Sequence, residues 1–375
     1  MTRRHFLKSS FLFGGHFMLP TAASAARNSP AGSSARSAGF RMPLESEQHT
    51  RTFMQWPARA AVYGSRAALE GVRSRIALIA STIAKFEPVV MLARPELAED
   101  VRRRLDAGIE IWPIAAEDLW CRDSGPTFVR SVSGQLAVSE LNFNGWGNKQ
   151  LHRDDGRISG KVAAKLGLRI FDNGLVGEGG GVETDGAGTL LAHESSWVNK
   201  NRNRGRKAQV EARLLNALGG EKMIWAPGVV GADITDYHID ALARFIKPGQ
   251  VLIQLPRAKS SGDPWSVAAF ETYDILKRAT DASGRALDVI VIEDPVPSRI
   301  RSRKSDFVSS YVNFYVCNGA VISAEFGDDK ADAAATELLR QLYPGRAVAS
   351  LNIDPIGEAG GGIHCATQQQ PAGTP

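Results

Sequence analysis

Five residues of this 375-residue sequence have the types needed for nucleophilic chemistry in an acidic pocket: Asp123, Glu178, His238, Asp240 and Cys365. A thiol can attack, an imidazole can move a proton, and carboxylates can grip a cation. Each lies in a segment dense in glycine or polar groups: residues 117–126, 177–181, 233–240 and 360–370. Taken singly, each has a plainer reading. Asp123 beside Arg122 reads as a local ion pair, Cys365 as a small buried hydrophobe, and the glycine runs as turns. The run at 177–181 fails as a dinucleotide fingerprint because no helical pattern follows it directly. His238 and Asp240 alternate along a segment read as extended, which turns both side chains to one side.

The set acquires a chemistry when its members share one pocket. Asp123 and Asp240 aimed together repel each other unless a cation sits between them, and a planar guanidinium with five donors satisfies both by paired hydrogen bonds. The implied partner is a small guanidino compound. Held there, its central carbon is placed for attack by Cys365, and the bound cation favours the thiolate. His238 would protonate the departing nitrogen and then deprotonate water, with Glu178 hydrogen-bonded to it and holding its charged form. The scheme needs no metal and no cofactor. Two other readings use the same residues. A Cys–His hydrolase of amides would want an oxyanion hole and has little use for two acids at the substrate carbon. A binding protein for cationic amines would keep both acids and be free to lose Cys365 or His238.

Elements that could bring such distant residues together are legible in the hydrophobic pattern. Paired apolar runs around a glycine-containing turn predict hairpins over residues 127–140, 182–194, 243–255 and 312–326. Their turn glycines, Gly134, Gly186, Gly249 and Gly319, are offset by 52, 63 and 70 residues, which is repeat behaviour with variable loops. Helical spacing follows each hairpin, as at Val210, Leu214 and Leu218, and a short apolar run follows each helix. The N-terminal part fits the scheme, with a helix through Leu69, Val72, Ile76, Ile79 and Ile83 and a second over residues 96–105. The unit is strand, strand, helix, strand, and about five copies span residues 41–370. Such units bury their faces only against one another, so the expected fold is α/β, a closed ring with helices outside; a linear solenoid would need polar caps at its ends. In a ring, the loops after each last strand face a common axis.

Composition narrows the classes further. Hydrophobic residues make up 43% and charged residues 23%, values that exclude a disordered or collagenous chain. Three cysteines exclude a disulfide-stapled scaffold, and Cys121 and Cys317 read as ordinary packing residues. The net charge of +5 falls to +2 without residues 1–25, which carry Arg3, Arg4 and Lys8 and no acid. The one basic tract, at 200–207, reads as a solvated loop, so no nucleic-acid partner is expected. Thr2-Arg3-Arg4-His5-Phe6-Leu7-Lys8, an apolar stretch over residues 11–19 and Ala23-Ser24-Ala25 match a twin-arginine export signal with its cleavage site. The stretch is too short to span a bilayer, so export to the periplasm or medium is expected, without stable membrane insertion. Residues 26–40 read as a flexible linker, 41–371 as a single catalytic domain and 372–375 as a tail; a homodimer is left open.

At this point the motifs resemble a known family. Trp120-Cys121-Arg122-Asp123-Ser124-Gly125-Pro126, Glu178-Gly179-Gly180, Ile234-Thr235-Asp236-Tyr237-His238-Ile239-Asp240 and Gly361-Gly362-Ile363-His364-Cys365-Ala366-Thr367-Gln368-Gln369-Gln370-Pro371 are similar to the agmatine deiminases. So are Thr52-Phe53-Met54-Gln55-Trp56-Pro57, Asn142-Phe143-Asn144-Gly145-Trp146-Gly147 and Ser310-Tyr311-Val312-Asn313-Phe314-Tyr315. The resemblance implies the pentein fold, a five-bladed pseudo-symmetric α/β propeller of ββαβ repeats, and hydrolysis of agmatine to N-carbamoylputrescine and ammonia. It implies Cys365 as nucleophile, His238 as acid and base, Asp123 and Asp240 on the guanidinium, Glu178 in the catalytic set, and Trp120 and Gly361 in the substrate site. The chain departs from the family pattern at Tyr237 and Ala241, where glycine is usual, and at Gly362, where asparagine is usual. Related secreted enzymes act on peptidyl-arginine, so arginine and peptidyl-arginine stand as alternative substrates.

Overall fold

The computed structural model describes residues 33–374. Strand β1 (Phe40–Arg41) precedes β2 (His49–Gln55), helix α1 (Arg66–Ile83), β3 (Val89–Leu92), α2 (Ala98–Arg104) and β4 (Glu110–Trp112). Ser65 starts α1 by accepting the Ala68 N–H, and the expected stripe of Leu69, Val72, Ile76, Ile79 and Ile83 is buried. Full burial of each such side chain contributes roughly 1.5–3 kcal/mol, enough in sum to dock the helix.

All four predicted hairpins form. They are β5 (Thr127–Ser131) with β6 (Leu136–Glu140), β8 (Val182–Thr184) with β9 (Thr189–His193), β11 (Ala243–Lys247) with β12 (Gln250–Leu255), and β14 (Tyr315–Cys317) with β15 (Ala320–Glu325). After each comes its helix and a third strand: α3 (Ile158–Leu166) and β7 (Arg169–Asp172), α4 (Lys207–Leu218) and β10 (Lys222–Ala226), α5 (Pro264–Arg278) and β13 (Asp288–Glu293), α6 (Asp329–Leu342) and β16 (Ala347–Asn352). The third strand runs parallel to the second in every case, as Ala137 opposite Arg169 and Ile322 opposite Ala349 show. The helix supplies the crossover that a parallel neighbour needs.

The strands form five sheets, in the orders β1-β5-β6-β7, β10-β9-β8, β11-β12-β13, β14-β15-β16 and β17-β2-β3-β4. The last sheet joins the two ends of the domain, since β17 (Thr367–Pro371) pairs antiparallel with β2, Gln368 opposite Phe53. The sequence reading placed residues 367–370 in a catalytic loop; they form a strand directly after the candidate nucleophile.

Two boundaries differ from the expectation. Ala35 and Phe40, assigned to a flexible linker, are buried, and Phe40 packs edge-on against Phe171. Residues 372–374, assigned to a tail, are pinned by hydrogen bonds from Ala372 to Gln48 and between Thr374 and both Gly134 and Leu136. The expected export signal lies outside the described residues. Among those described, no helix is long and apolar enough to cross a membrane.

Candidate active site

The loops after the third strands meet. A Cβ placed on Gly180 would lie 2.8 Å from Oδ1 of Asp123, 2.8 Å from Nδ1 of His238 and 3.0 Å from Oδ2 of Asp240. Only a residue without a side chain can sit there, in the 3-10 turn Gly179–Gly181 that follows Glu178. Asp123 is carried by a single helical turn, Cys121–Ser124, and the preceding N–H in that turn, from Arg122, donates to the carbonyl of Cys365 at 3.1 Å. That bond ties the first loop to the last. His238 precedes another 3-10 turn, Ile239–Ala241, so the segment is curled rather than extended. Its histidine and Asp240 still share one side, as expected.

Each functional group is held by hydrogen bonds. Asp123 accepts from Nε1 of Trp146 at 2.9 Å and from the Gly180 N–H at 3.2 Å, and lies 3.6 Å from Nδ1 of His238. Nε2 of His238 reaches Glu178 at 3.1 Å, and the same carboxylate accepts the Nε–H of Arg202 at 2.9 Å on both oxygens. Arg202 continues to Asp236 at 2.7 Å. Sγ of Cys365 lies 3.4 Å from Oδ2 of Asp240 and receives the Nδ2–H of Asn313 at 3.1 Å. Asp240 Oδ1 is buried with no hydrogen-bond partner among the described residues. A bare carboxylate oxygen is costly in the interior, and a donor on a ligand would satisfy it.

Electrostatics separate the groups. Burial opposes the charge on His238, but Asp123, Glu178 and Asp240 outweigh it and raise the imidazole to about 9. Burial, with Asp240 and Glu178 nearby, pushes Asp123 up to about 6 although His238 pulls the other way. Burial also works against ionised Asp240 and Glu178; His364 holds the former down, and Arg202 and His238 the latter. The Cys365 thiol is pushed well above its usual range by burial, then by Asp240 and Asp123. Without a cation in the pocket the thiol keeps its proton.

These side chains open into a cavity of about 760 Å³ lined by Trp120, Tyr237, Trp265 and Gly361 among others. Gly361 is where the ring of Trp120 packs: a Cβ there would meet it at 2.5 Å. The local ion pair read for Arg122 and Asp123 does not form, because Arg122 turns inward to Glu45 and Gln369, at 2.9 and 2.8 Å. Trp146, Arg202, Asn313, His364 and Glu45 were not singled out as site residues by the sequence. Trp146, Asn313 and His364 lie inside the quoted motifs, but nothing in residue type or spacing pointed them at Asp123, Cys365 or Asp240. The departures from the family pattern also find places. Tyr237 adopts the left-handed region at φ 69°, its ring 4.5 Å from that of His193 and 4.4 Å from that of Trp265. Ala241 lines the cavity, and at Gly362 a Cβ would meet Oδ1 of Asn313 at 2.4 Å. Cys121 and Cys317 are buried in apolar clusters. Among the described residues no group of three or more His, Cys, Asp or Glu could hold a metal ion.

Comparison with known proteins shows the family to which the chain is similar. The sequence pattern of the Porphyromonas-type peptidyl-arginine deiminases matches residues 41–371. An agmatine deiminase of Stutzerimonas stutzeri is 35% identical over 364 residues, covering 91% of this chain and 98% of that protein. One from Medicago truncatula is 34% identical over 368 residues, covering 89% and 97%. The structure of the agmatine deiminase of Enterococcus faecalis superposes with a TM-score of 0.84 at 28% identity, over 92% of this chain and 99% of that one.

Proposed function

Because the chain belongs to the Porphyromonas-type peptidyl-arginine deiminase family, we propose that it is a guanidine deiminase whose substrate is agmatine, hydrolysed to N-carbamoylputrescine and ammonia. The observation that carries this reading is the bare Oδ1 of Asp240 beside Asp123, with the sulfur of Cys365 3.4 Å from the other oxygen of Asp240. The guanidinium places its N–H groups on Asp123 and Asp240, and its charge stabilises the thiolate that the empty pocket disfavours, the thiol proton leaving to solvent as substrate enters. Sulfur adds to the central carbon. His238 gives its proton to one terminal nitrogen, the C–N bond breaks, and ammonia leaves an S-alkylthiouronium on Cys365. His238, now neutral, takes a proton from water as its oxygen adds to that carbon; the C–S bond then breaks, releasing the urea product and the thiol. Glu178, held by Arg202, keeps His238 charged between turnovers.

The pocket wall favours agmatine over free arginine. Asp118, Asp233, Asp263, Asp294 and Glu358 line it, and the one Lys or Arg among the described lining residues is Lys304, 3.1 Å from Glu358. An ammonium tail suits that wall better than a carboxylate does. The size of the cavity keeps peptidyl-arginine as the second reading. Ammonia release from agmatine, free arginine and an arginine peptide by the purified protein separates the three; release from none would reject deimination.

We further propose that the convergence reflects the pentein ring, with the five sheets as its blades. We also propose export by the twin-arginine pathway, on the strength of the motif in residues 2–25; fractionation of expressing cells, with Arg3 and Arg4 replaced by Lys as control, tests it.

A further inference from the structure

His364 precedes the nucleophile in sequence, and the reaction scheme makes no use of it. Its side chain is buried between two carboxylates: Nδ1 lies 2.7 Å from Oδ2 of Asp240, and Nε2 lies 2.9 Å from Oε2 of Glu45. A neutral imidazole has one N–H and one lone pair. A neutral ring here would set its lone pair against an anionic oxygen on one side or the other, whereas an imidazolium offers a proton to both.

The surrounding charges lead to the same assignment. Three buried acids meet at this point, Asp240, Glu45 and Glu183. Arg122 donates to Glu45 at 2.9 Å; Arg244 lies 2.9 Å from Glu45 and donates to Glu183 at 3.0 Å. Two guanidinium groups leave one of the three carboxylates uncompensated unless His364 is charged or Glu183, which burial pushes up, holds a proton. An uncompensated buried charge is strongly destabilising, and the short contacts of both ring nitrogens of His364 single out the first. On the substrate side, Asp240 faces Asp123, His238 and Cys365. There Asp123 and Glu178 are already balanced by His238 and Arg202.

We propose that His364 is a positioning residue that carries protons on both ring nitrogens, occupying Oδ2 of Asp240 and keeping that carboxylate ionised so that Oδ1 remains to receive the guanidinium. Glu45 sets this state from the side remote from substrate, because it demands the second proton. The inference rests on the deiminase reading for its consequence in turnover, and on the unliganded protein for the charge itself.

The test uses two variants and one spectrum of the whole protein. His364→Asn keeps an N–H for Asp240 but removes the charge; Glu45→Gln removes the acid that calls for the second proton and leaves the bond to Asp240. Loss of the cation raises the pKa of Asp240, so substrate capture requires a higher pH. In the wild type Asp123, at about 6, sets the acid limb of kcat/KM for agmatine. In His364→Asn the ionisation of Asp240 should become a second requirement that steepens the limb and moves it up, and in Glu45→Gln the same change should be smaller. A merely structural histidine would lower activity without moving the limb. NMR of nitrogen-labelled histidine in the unliganded wild type should show both ring nitrogens of His364 protonated at neutral pH. A neutral tautomer in that spectrum, or unmoved acid limbs in the variants that fold, overturns the proposal. If the wild type releases no ammonia from any guanidine, the deiminase reading fails, and the spectrum alone decides the charge on His364.

Discussion

Nε2 of His238 lies 3.1 Å from Oε2 of Glu178, a carboxylate that Arg202 also holds through both of its oxygens. The pairing fixes the imidazole and stabilises its charge, which makes the alkaline limb of activity a reporter of Glu178. In the wild type kcat/KM should fall as pH rises through about 9, where His238 loses its proton. In Glu178→Gln the limb should move down towards the ordinary histidine value of about 6.5. A pH–rate profile with agmatine checks this, and coincident limbs would remove Glu178 from the mechanism.

The same shift is a stability statement. A histidine raised in the folded state contributes stability that is complete below its unfolded pKa and lost as pH rises through the folded one. Between pH of about 6.5 and about 9 the wild-type Tm should decline. Glu178→Gln should flatten that decline, as differential scanning calorimetry across the window would show.

Cys365→Ala should abolish ammonia release while agmatine still binds, because the carboxylates that grip the guanidinium remain. In the wild type, rapid acid quench and intact-mass measurement should reveal an adduct on Cys365. Turnover by the alanine variant at more than a trace of the wild-type rate would contradict covalent catalysis by this thiol.

Asp240→Asn removes the charge from the oxygen left bare in the pocket. Stripping one partner from a buried ion pair costs about 3–5 kcal/mol, so Kd for agmatine, measured in the inactive Cys365→Ala background, should rise by about two to four orders of magnitude. Asp123→Asn should act in the same direction. Unchanged affinity would take the carboxylate clamp out of the mechanism.

Gly180→Ala tests the convergence of the loops. The added methyl would stand within 3.0 Å of Asp123, His238 and Asp240 at once, so kcat/KM should fall by about two orders of magnitude or more, in line with the cost of small displacements at a reacting centre. Far-ultraviolet circular dichroism should stay at the wild-type signal. An active Gly180→Ala enzyme would mean that these three side chains do not share one point.

Much of this molecule was legible in its sequence because the signals are local. Alternation around Gly134, Gly186, Gly249 and Gly319 specifies hairpins, and the spacing of Leu69, Val72, Ile76, Ile79 and Ile83 specifies a helix, since each depends on neighbours a few positions apart. Residue types identified Asp123, Glu178, His238, Asp240 and Cys365, because few side chains can attack, shuttle protons or bind a cation. What the tertiary structure alone decided is pairing across long separations. The strand from Thr367 to Pro371 finds β2 some 300 residues earlier, Trp146 finds Asp123, Asn313 finds Cys365, and Glu45 meets His364, Arg122 and Arg244. Periodicity within one segment does not name its distant partner, and a hydrogen bond or an ion pair constrains where two groups lie in space while leaving their distance along the chain free.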